Sequence, residues 1–444
     1  MRNARVKIVA VVERDGVPCW PCIDHDYKKE MSRVTDVVIG QNPDMDFDIV
    51  IYNDKAQAEA DYESDLNKYD GVLVLLMTCW KGIDVFYARQ SKDGIPTIIA
   101  DVPYFGSGST LCTAIPVVRE EKLSVPILST LDYSEIARAV RAFNVIAKMK
   151  QTTILVIKGT DNTLNRRDWE DSFEKSWGCR FIDKRGGELM EYFAKADDAE
   201  AKEIAARWVR EADEVREPSS HELIEAARLH VAIRNMMTDV GADAVTVDCL
   251  ALSYTGIYGQ GKHMYPCLSH YEMLNKGTVA VCESDVAATV TSLIIKYLTG
   301  RTGFVSDPVI DTSSDQIIYA HCVGCTKMYG PDDSRRCRFS IRSHAEDKMG
   351  ASVQIYFPAG EELTTVMIYP DGEGPATIHS SRSAGNVGFE EGCRSKLVGV
   401  GNAEAILNNW NGSWHRVTVF GDYRKAFMQL FKLMGITVMQ EDKE

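Results

Sequence analysis

The chain has no uncharged apolar run approaching the length of a bilayer-spanning helix, and Met1 to Ala10 lacks the hydrophobic region and small-residue cleavage site of a secretory signal. No membrane partner is expected, and the cytoplasm is the expected location. Basic clusters are missing too. No Lys/Arg group extends beyond a pair or so, and the formal net charge of −14 repels phosphate backbones, which argues against nucleic acid. Internal repeats and low-complexity tracts are absent. Cysteine is present but does not follow a disulfide framework: Cys112, Cys179, Cys249 and Cys282 sit in apolar or strand-like surroundings and read as buried free thiols.

What remains is the composition of a folded globular protein, with 45% apolar and 26% charged residues spread over 444 positions. That length exceeds one ordinary core and implies two or three domains. In the first third, short β-branched runs (Val6 to Val12, Asp48 to Tyr52, Gly71 to Leu76, Pro96 to Ala100, Pro126 to Ser129) alternate with helix-length segments. That alternation predicts a parallel sheet with right-handed crossovers. Asp132 to Lys150 is helical by its spacing of Ile136, Val140, Phe143 and Ile146, and passes into a new strand, Thr153 to Ile157. A second α/β unit follows. It includes an acidic helix near Asp198 to Val215, a helix opened by a Ser219/Glu222 capping box, strands Ala244 to Asp248 and Thr278 to Cys282, and the helix Asp285 to Tyr297. From Arg301 onward, short alternating strands are broken by Gly, Pro, Asn and Asp. The expected architecture is α/β: two flavodoxin- or Rossmann-like parallel-sheet domains, 1–150 and 151–300, then a mostly antiparallel β-rich domain, 301–444.

Three positions end or open apolar runs with side chains suited to a metal. Glu283 follows Thr278 to Cys282, Asp307 follows Gly303 to Ser306, and His415 opens the run to Phe420. Ligands bind at the carboxyl ends of strands in parallel α/β sheets, and two carboxylates with an imidazole suit a borderline-hard divalent ion. The plainer reading of any one such acid is a helix cap, and Glu283 and Asp285 do precede a helix.

The stretches Asp248-Cys249, Tyr265-Pro266-Cys267-Leu268, Ala280-Val281-Cys282-Glu283-Ser284-Asp285, Val305-Ser306-Asp307, Ala320-His321-Cys322 and Trp414-His415-Arg416-Val417, then Gly421-Asp422-Tyr423, occur in an order that resembles the L-fucose isomerase family. The resemblance is strongest from Asp248 to Met434; the first third matches by architecture and by Thr78-Cys79-Trp80-Lys81-Gly82. It implies a metal-dependent aldose–ketose isomerase. Glu283, Asp307 and His415 would be ligands to Mn²⁺, or to Co²⁺ or Mg²⁺, and Glu283 and Asp307 would also be the acid/base pair. Asn411 would bind sugar, and Trp80 would pack on sugar held in a neighbouring subunit of a homotrimer or homohexamer. The chain is shorter than the L-fucose isomerases, so the sugar is open: a pentose, a deoxysugar or an anion-substituted hexose such as a sulfonated sugar. A non-catalytic sugar-binding or regulatory protein on the same fold is the alternative.

Other signals have plainer explanations. Arg14, after the first strand, would reach a sugar substituent or form a surface salt bridge. His321 lies where the related arabinose isomerases carry another metal-binding His, but the fucose-type pattern lacks that ligand; a buried, hydrogen-bonded histidine is the favoured reading. Cys19-Trp20-Pro21-Cys22 has the spacing of a thioredoxin-like motif in a loop crowded with proline, and a zinc site joining it to Cys322/Cys325 would need distant domains to meet. Gly106 to Thr110 lacks the Lys of a P-loop and reads as a flexible loop lining the cleft. Arg394, in a Gly-rich stretch, is a further substrate candidate.

Overall fold

The computed structural model describes residues 1–20, 23, 25–159 and 167–444. The chain divides into two compact units, Met1–Lys148 with Lys425–Thr437, and Met149–Arg424 with Val438–Glu444. Both are α/β, as expected from the alternation of apolar runs and helical spacing.

The first unit is built on β1 (Ala4–Val11), β2 (Met45–Tyr52), β3 (Gly71–Leu76), β4 (Thr97–Asp101) and β5 (Ile127–Ser129), all parallel, in the order β2-β1-β3-β4-β5. The central strand β3, Gly-Val-Leu-Val-Leu-Leu, is buried at every position because helices cover both faces. At its carboxyl edge, Trp80 and Tyr104 have left-handed backbones (φ 59° and 76°) and are 68% and 64% exposed. The segment from Gly106 to Thr110 is not the expected loop. Ser107–Ser109 is a helical turn, pinned by Ser107 Oγ donating to Asp101 Oδ2 at 3.0 Å. Gly106 lies so close to β3 that a Cβ there would be 2.3 Å from the Leu76 carbonyl oxygen. Arg14 pairs with Asp54 at 3.3 Å on the surface. Cys19 Sγ lies 3.2 Å from the Tyr27 hydroxyl, and Cys22 lies outside the described residues.

Among the described residues, the second unit holds three sheets. Strands β6 (Thr153–Lys158), β7 (Arg180–Arg185), β8 (Ala244–Val247) and β9 (Val279–Cys282) form a parallel sheet in the order β7-β6-β8-β9. The helix Ser220–Val240 begins with the expected Ser219/Glu222 capping box and ends on the left-handed Gly241.

After the helix Val286–Thr299 the chain becomes largely antiparallel: β10 (Phe304–Asp311), β11 (Gln316–His321), β12 (Arg338–Arg342), β13 (Ser352–Tyr356), β14 (Ala359–Met367), β15 (Ala376–Asn386), β16 (Ser395–Val400), β17 (Arg416–Phe420) and β18 (Val438–Gln440). Seven of these run β14-β17-β10-β11-β16-β15-β18, and β14 also pairs with β15, so six strands close into a ring. The strands β12 and β13 form a separate pair. Phe304, Ile317, Tyr319, Phe339, Leu363, Leu397 and Phe420 lie in one buried cluster. Among the described residues, no helix is long and apolar enough to cross a membrane.

Candidate metal centre

The turn leaving β9 is tightly specified. Glu283 and Ser284 both adopt left-handed backbones (φ 64° and 53°), a conformation that costs a non-glycine residue about 1 kcal/mol or more. Local contacts hold it: Ser284 Oγ donates to the Ile157 carbonyl at 3.0 Å, and the Asp285 N–H donates to the Cys282 carbonyl at 3.2 Å. Asp285 then caps the helix Val286–Thr299, with its Oδ1 accepting from the Ala288 N–H at 2.8 Å. The turn aims the Glu283 carboxylate at three strands of the antiparallel ring.

Those strands are neighbours. In the register of β10 with β17, Ser306 faces Arg416, and in that of β10 with β11, Asp307 faces Ala320. This register brings His415, Asp307 and His321 to one edge of the sheet. Asp307 therefore does not end its strand, as the run to Ser306 suggested; β10 continues to Asp311. His415 Nε2 lies 3.4 Å from Asp307 Oδ1 and 3.7 Å from Glu283 Oε2, and His321 Nε2 is 3.9 Å from Glu283 Oε1. One ligand atom from each of Glu283, Asp307, His321 and His415 lies within 4.8 Å of the others.

The two histidines are prepared differently. His415 Nδ1 is 2.7 Å from Asp285 Oδ2, so it donates to that carboxylate and leaves Nε2 with a free lone pair. That Nε2 is buried and makes no hydrogen bond among the described residues. His321 Nδ1 instead accepts from the Val323 N–H at 3.3 Å, so in the neutral ring the proton sits on Nε2. His415 is thus set as a ligand and His321 as a donor facing Glu283.

Electrostatics agree with a cation at this point. Burial opposes protonation of His415, yet the hydrogen bond to Asp285 and the charges of Asp285, Glu283 and Asp307 override it and push the imidazole up to about 10. Without an ion, the cluster recruits a proton to offset its negative charge. Two hard carboxylates and a borderline imidazole whose Nε2 makes no hydrogen bond among the described residues fit a divalent ion.

Other expected site residues fall elsewhere. Asn411 lies in the segment leading to His415, and its Nδ2 is buried and makes no hydrogen bond among the described residues. Trp80 and Arg14 belong to the first unit. Arg394 is buried and donates to the Ser343 carbonyl at 2.9 Å and the Ser343 hydroxyl at 3.0 Å. Cys322 and Cys325 are buried free thiols. Asp285 was legible only as a cap, because its bond to His415 spans 130 positions.

The fold and this donor set define a mixed α/β protein with a candidate divalent-metal centre. No protein-family model matches the chain, and no curated protein matches it either. Among solved structures, a carbohydrate transporter from Acidothermus cellulolyticus 11B in complex with myo-inositol is 11% identical, with 68% of this chain and 89% of that one covered, at a TM-score of 0.20. An ABC transporter periplasmic solute-binding protein from Actinobacillus succinogenes 130z with bound D-allose is 13% identical, with 67% and 92% covered, at a TM-score of 0.18. Likenesses this distant carry no argument, and the site stands on its own geometry.

Proposed function

We propose that the chain is a metal-dependent aldose–ketose isomerase of the L-fucose isomerase kind, acting on a monosaccharide in the cytoplasm as a homotrimer or homohexamer. The observation that carries the reading is the convergence of Glu283, Asp307 and His415, with His415 Nε2 within 3.4 and 3.7 Å of the two carboxylates and, among the described residues, without a hydrogen bond.

Glu283, Asp307 and His415 would hold the ion. Bound there, a divalent ion would supply Lewis acidity that offsets the negative charge developing on the sugar as the proton moves. The carbon acid at C2 is far too weak for water at neutral pH, so a positioned base is needed. One of the two carboxylates takes the C2 proton and returns it to C1, and the other moves the proton between O1 and O2. His321, with its proton on Nε2, donates to an oxygen at the site. Asn411 binds sugar hydroxyls, and Trp80 and Arg14 contact the sugar from a neighbouring subunit.

The test is a panel of pentoses, deoxyhexoses and sulfonated hexoses, as aldoses and ketoses, assayed with Mn²⁺ and after chelation. Conversion that depends on Mn²⁺ and falls at least about a thousandfold in Glu283→Gln is expected, with an unchanged circular dichroism spectrum. Sugar binding without conversion would overturn the reading in favour of a non-catalytic sugar-binding protein. Conversion in D₂O without deuterium at C1 would replace proton transfer by a hydride shift.

A further inference from the structure

Beside His415 lies a guanidinium that the chemistry above does not use. Arg416 is fully buried, with its guanidinium carbon 3.7 Å from the centre of the Trp410 ring. Its N–H groups gather the preceding chain: Nη2 donates to the Asn411 carbonyl at 2.7 Å, and Nη1 to the carbonyls of Ser413 at 2.7 Å and His415 at 3.0 Å. The Tyr369 hydroxyl accepts from Arg416 Nη1 at 3.0 Å and from the Ser413 N–H at 3.1 Å, and donates to the Asn411 carbonyl at 3.2 Å. The loop also packs directly on that ring, since a Cβ at Gly412 would be 2.4 Å from Tyr369 Cζ. Residues 411–415 are therefore wound around one buried cation and one phenol.

A buried cation must be paired to be tolerated. Its partner is Glu441, also fully buried, whose Oε1 is 2.6 Å from Arg416 Nη2. Glu441 Oε2 accepts from His379 Nδ1 at 2.8 Å, and His379 Nε2 in turn accepts from the Tyr319 hydroxyl at 2.8 Å. Glu441 directly follows β18, and its own N–H donates to the Ile378 carbonyl at 2.9 Å. Asn409 Nδ2 reaches back to the carbonyls of Glu441 at 3.2 Å and Lys443 at 2.7 Å.

We propose that Glu441 and Tyr369 are positioning residues for the metal centre. Acting through Arg416, they fix the backbone of 411–415 so that His415 Nε2 stays where the carboxylates converge. The inference rests on the metal reading of that cluster. Asp285 fixes the imidazole at Nδ1, but a ring held at one nitrogen still swings with its main chain, and Arg416 supplies the second anchor. The two anchors come from separate segments, one from the turn after β9 and the other from the segment after β18.

The test measures Mn²⁺ itself, by calorimetry and electron paramagnetic resonance, on the full-length protein and on Tyr369→Phe and Glu441→Gln. Loss of support behind a ligand typically weakens affinity about 10- to 100-fold. The Glu441→Gln dissociation constant should rise about tenfold, and that of the isosteric Tyr369→Phe about threefold, both with broadened spectra. The double variant should be no weaker than Glu441→Gln by more than about twofold, because both act through Arg416. Unchanged affinity and line shape in the folded variants would overturn the proposal; if Glu441→Gln does not fold, Tyr369→Phe decides by the same criterion. Parent protein that takes up no Mn²⁺ would overturn the metal reading and this inference with it. Parent binding with unaffected variants removes the positioning role alone.

Discussion

The two parallel sheets end alike in backbone and unlike in charge. After β3 and β4 of the first unit, and after β9 of the second, non-glycine residues sit in the left-handed region: Trp80 and Tyr104 in one, Glu283 and Ser284 in the other. At the first edge the strained residues are exposed aromatics, and the nearby charges are paired, Glu13 with Lys81 at 2.6 Å and Arg14 with Asp54 at 3.3 Å. At the second edge the strain delivers a carboxylate into a cluster of like charges that, among the described residues, no Lys or Arg offsets within ion-pair distance, and a buried imidazole takes up a proton instead. Backbone strain therefore marks both edges as built surfaces, and unbalanced charge separates the one suited to a cation from the one suited to an apolar face.

The sharpest way to break the contrast is within the second edge. His415→Gln should weaken Mn²⁺ binding at least about 100-fold, whereas His321→Gln, which removes a ring with its proton on Nε2, should weaken it less than about threefold. Equal losses in calorimetry would make both imidazoles ligands. Asp285→Asn comes next: the hydrogen bond that sets the His415 tautomer is lost, and affinity should fall about tenfold while the capping of the helix Val286–Thr299 persists.

The charge imbalance also has a pH signature in chelated protein. His415 is raised from an unfolded value near 6.5 to about 10, so its stabilisation is complete below about pH 6.5 and is lost as pH rises through about 10. Melting temperatures should decline across that window, and the decline should be absent in His415→Gln; a flat parent profile would refute the imbalance. The smallest effects concern strain. Glu283→Gly and Trp80→Gly should each raise the stability of chelated protein by about 1 kcal/mol, measured by denaturant titration. Only the first should affect Mn²⁺.

Much of the fold was legible because buried parallel strands are continuous β-branched runs, as in β1, β3 and β6. The strand β7 was not, because Arg180, Asp183 and Arg185 punctuate an edge strand whose outward positions are charged. β15 hides in Ala-Thr-Ile-His-Ser-Ser-Arg-Ser-Ala-Gly-Asn, which becomes a strand through its partners on both sides. The run carrying Asp307 reads as ending at Ser306, where its apolar residues give way to Asp307, yet β10 continues through Pro308 to Asp311. Pro308 is accepted because the pairing with β17 has already ended there. At the site, Glu283 and His415 stood out as polar ends of apolar runs. The roles of Asp285, His321 and Glu441 depend on partners across the fold, and no local spacing encodes them.

Closure of the antiparallel ring bears on descent. Since β14 pairs with both β17 and β15, neither the strands carrying Asp307 and His321 nor the one that His415 directly precedes is a free edge, and their mutual spacing is set by the ring. The connections 312–315 and 387–393 lie outside the contacts that hold those residues and can lengthen, shorten or be exchanged. Such a scaffold lets a lineage vary its surface connections while passing on the same arrangement of carboxylates and imidazoles.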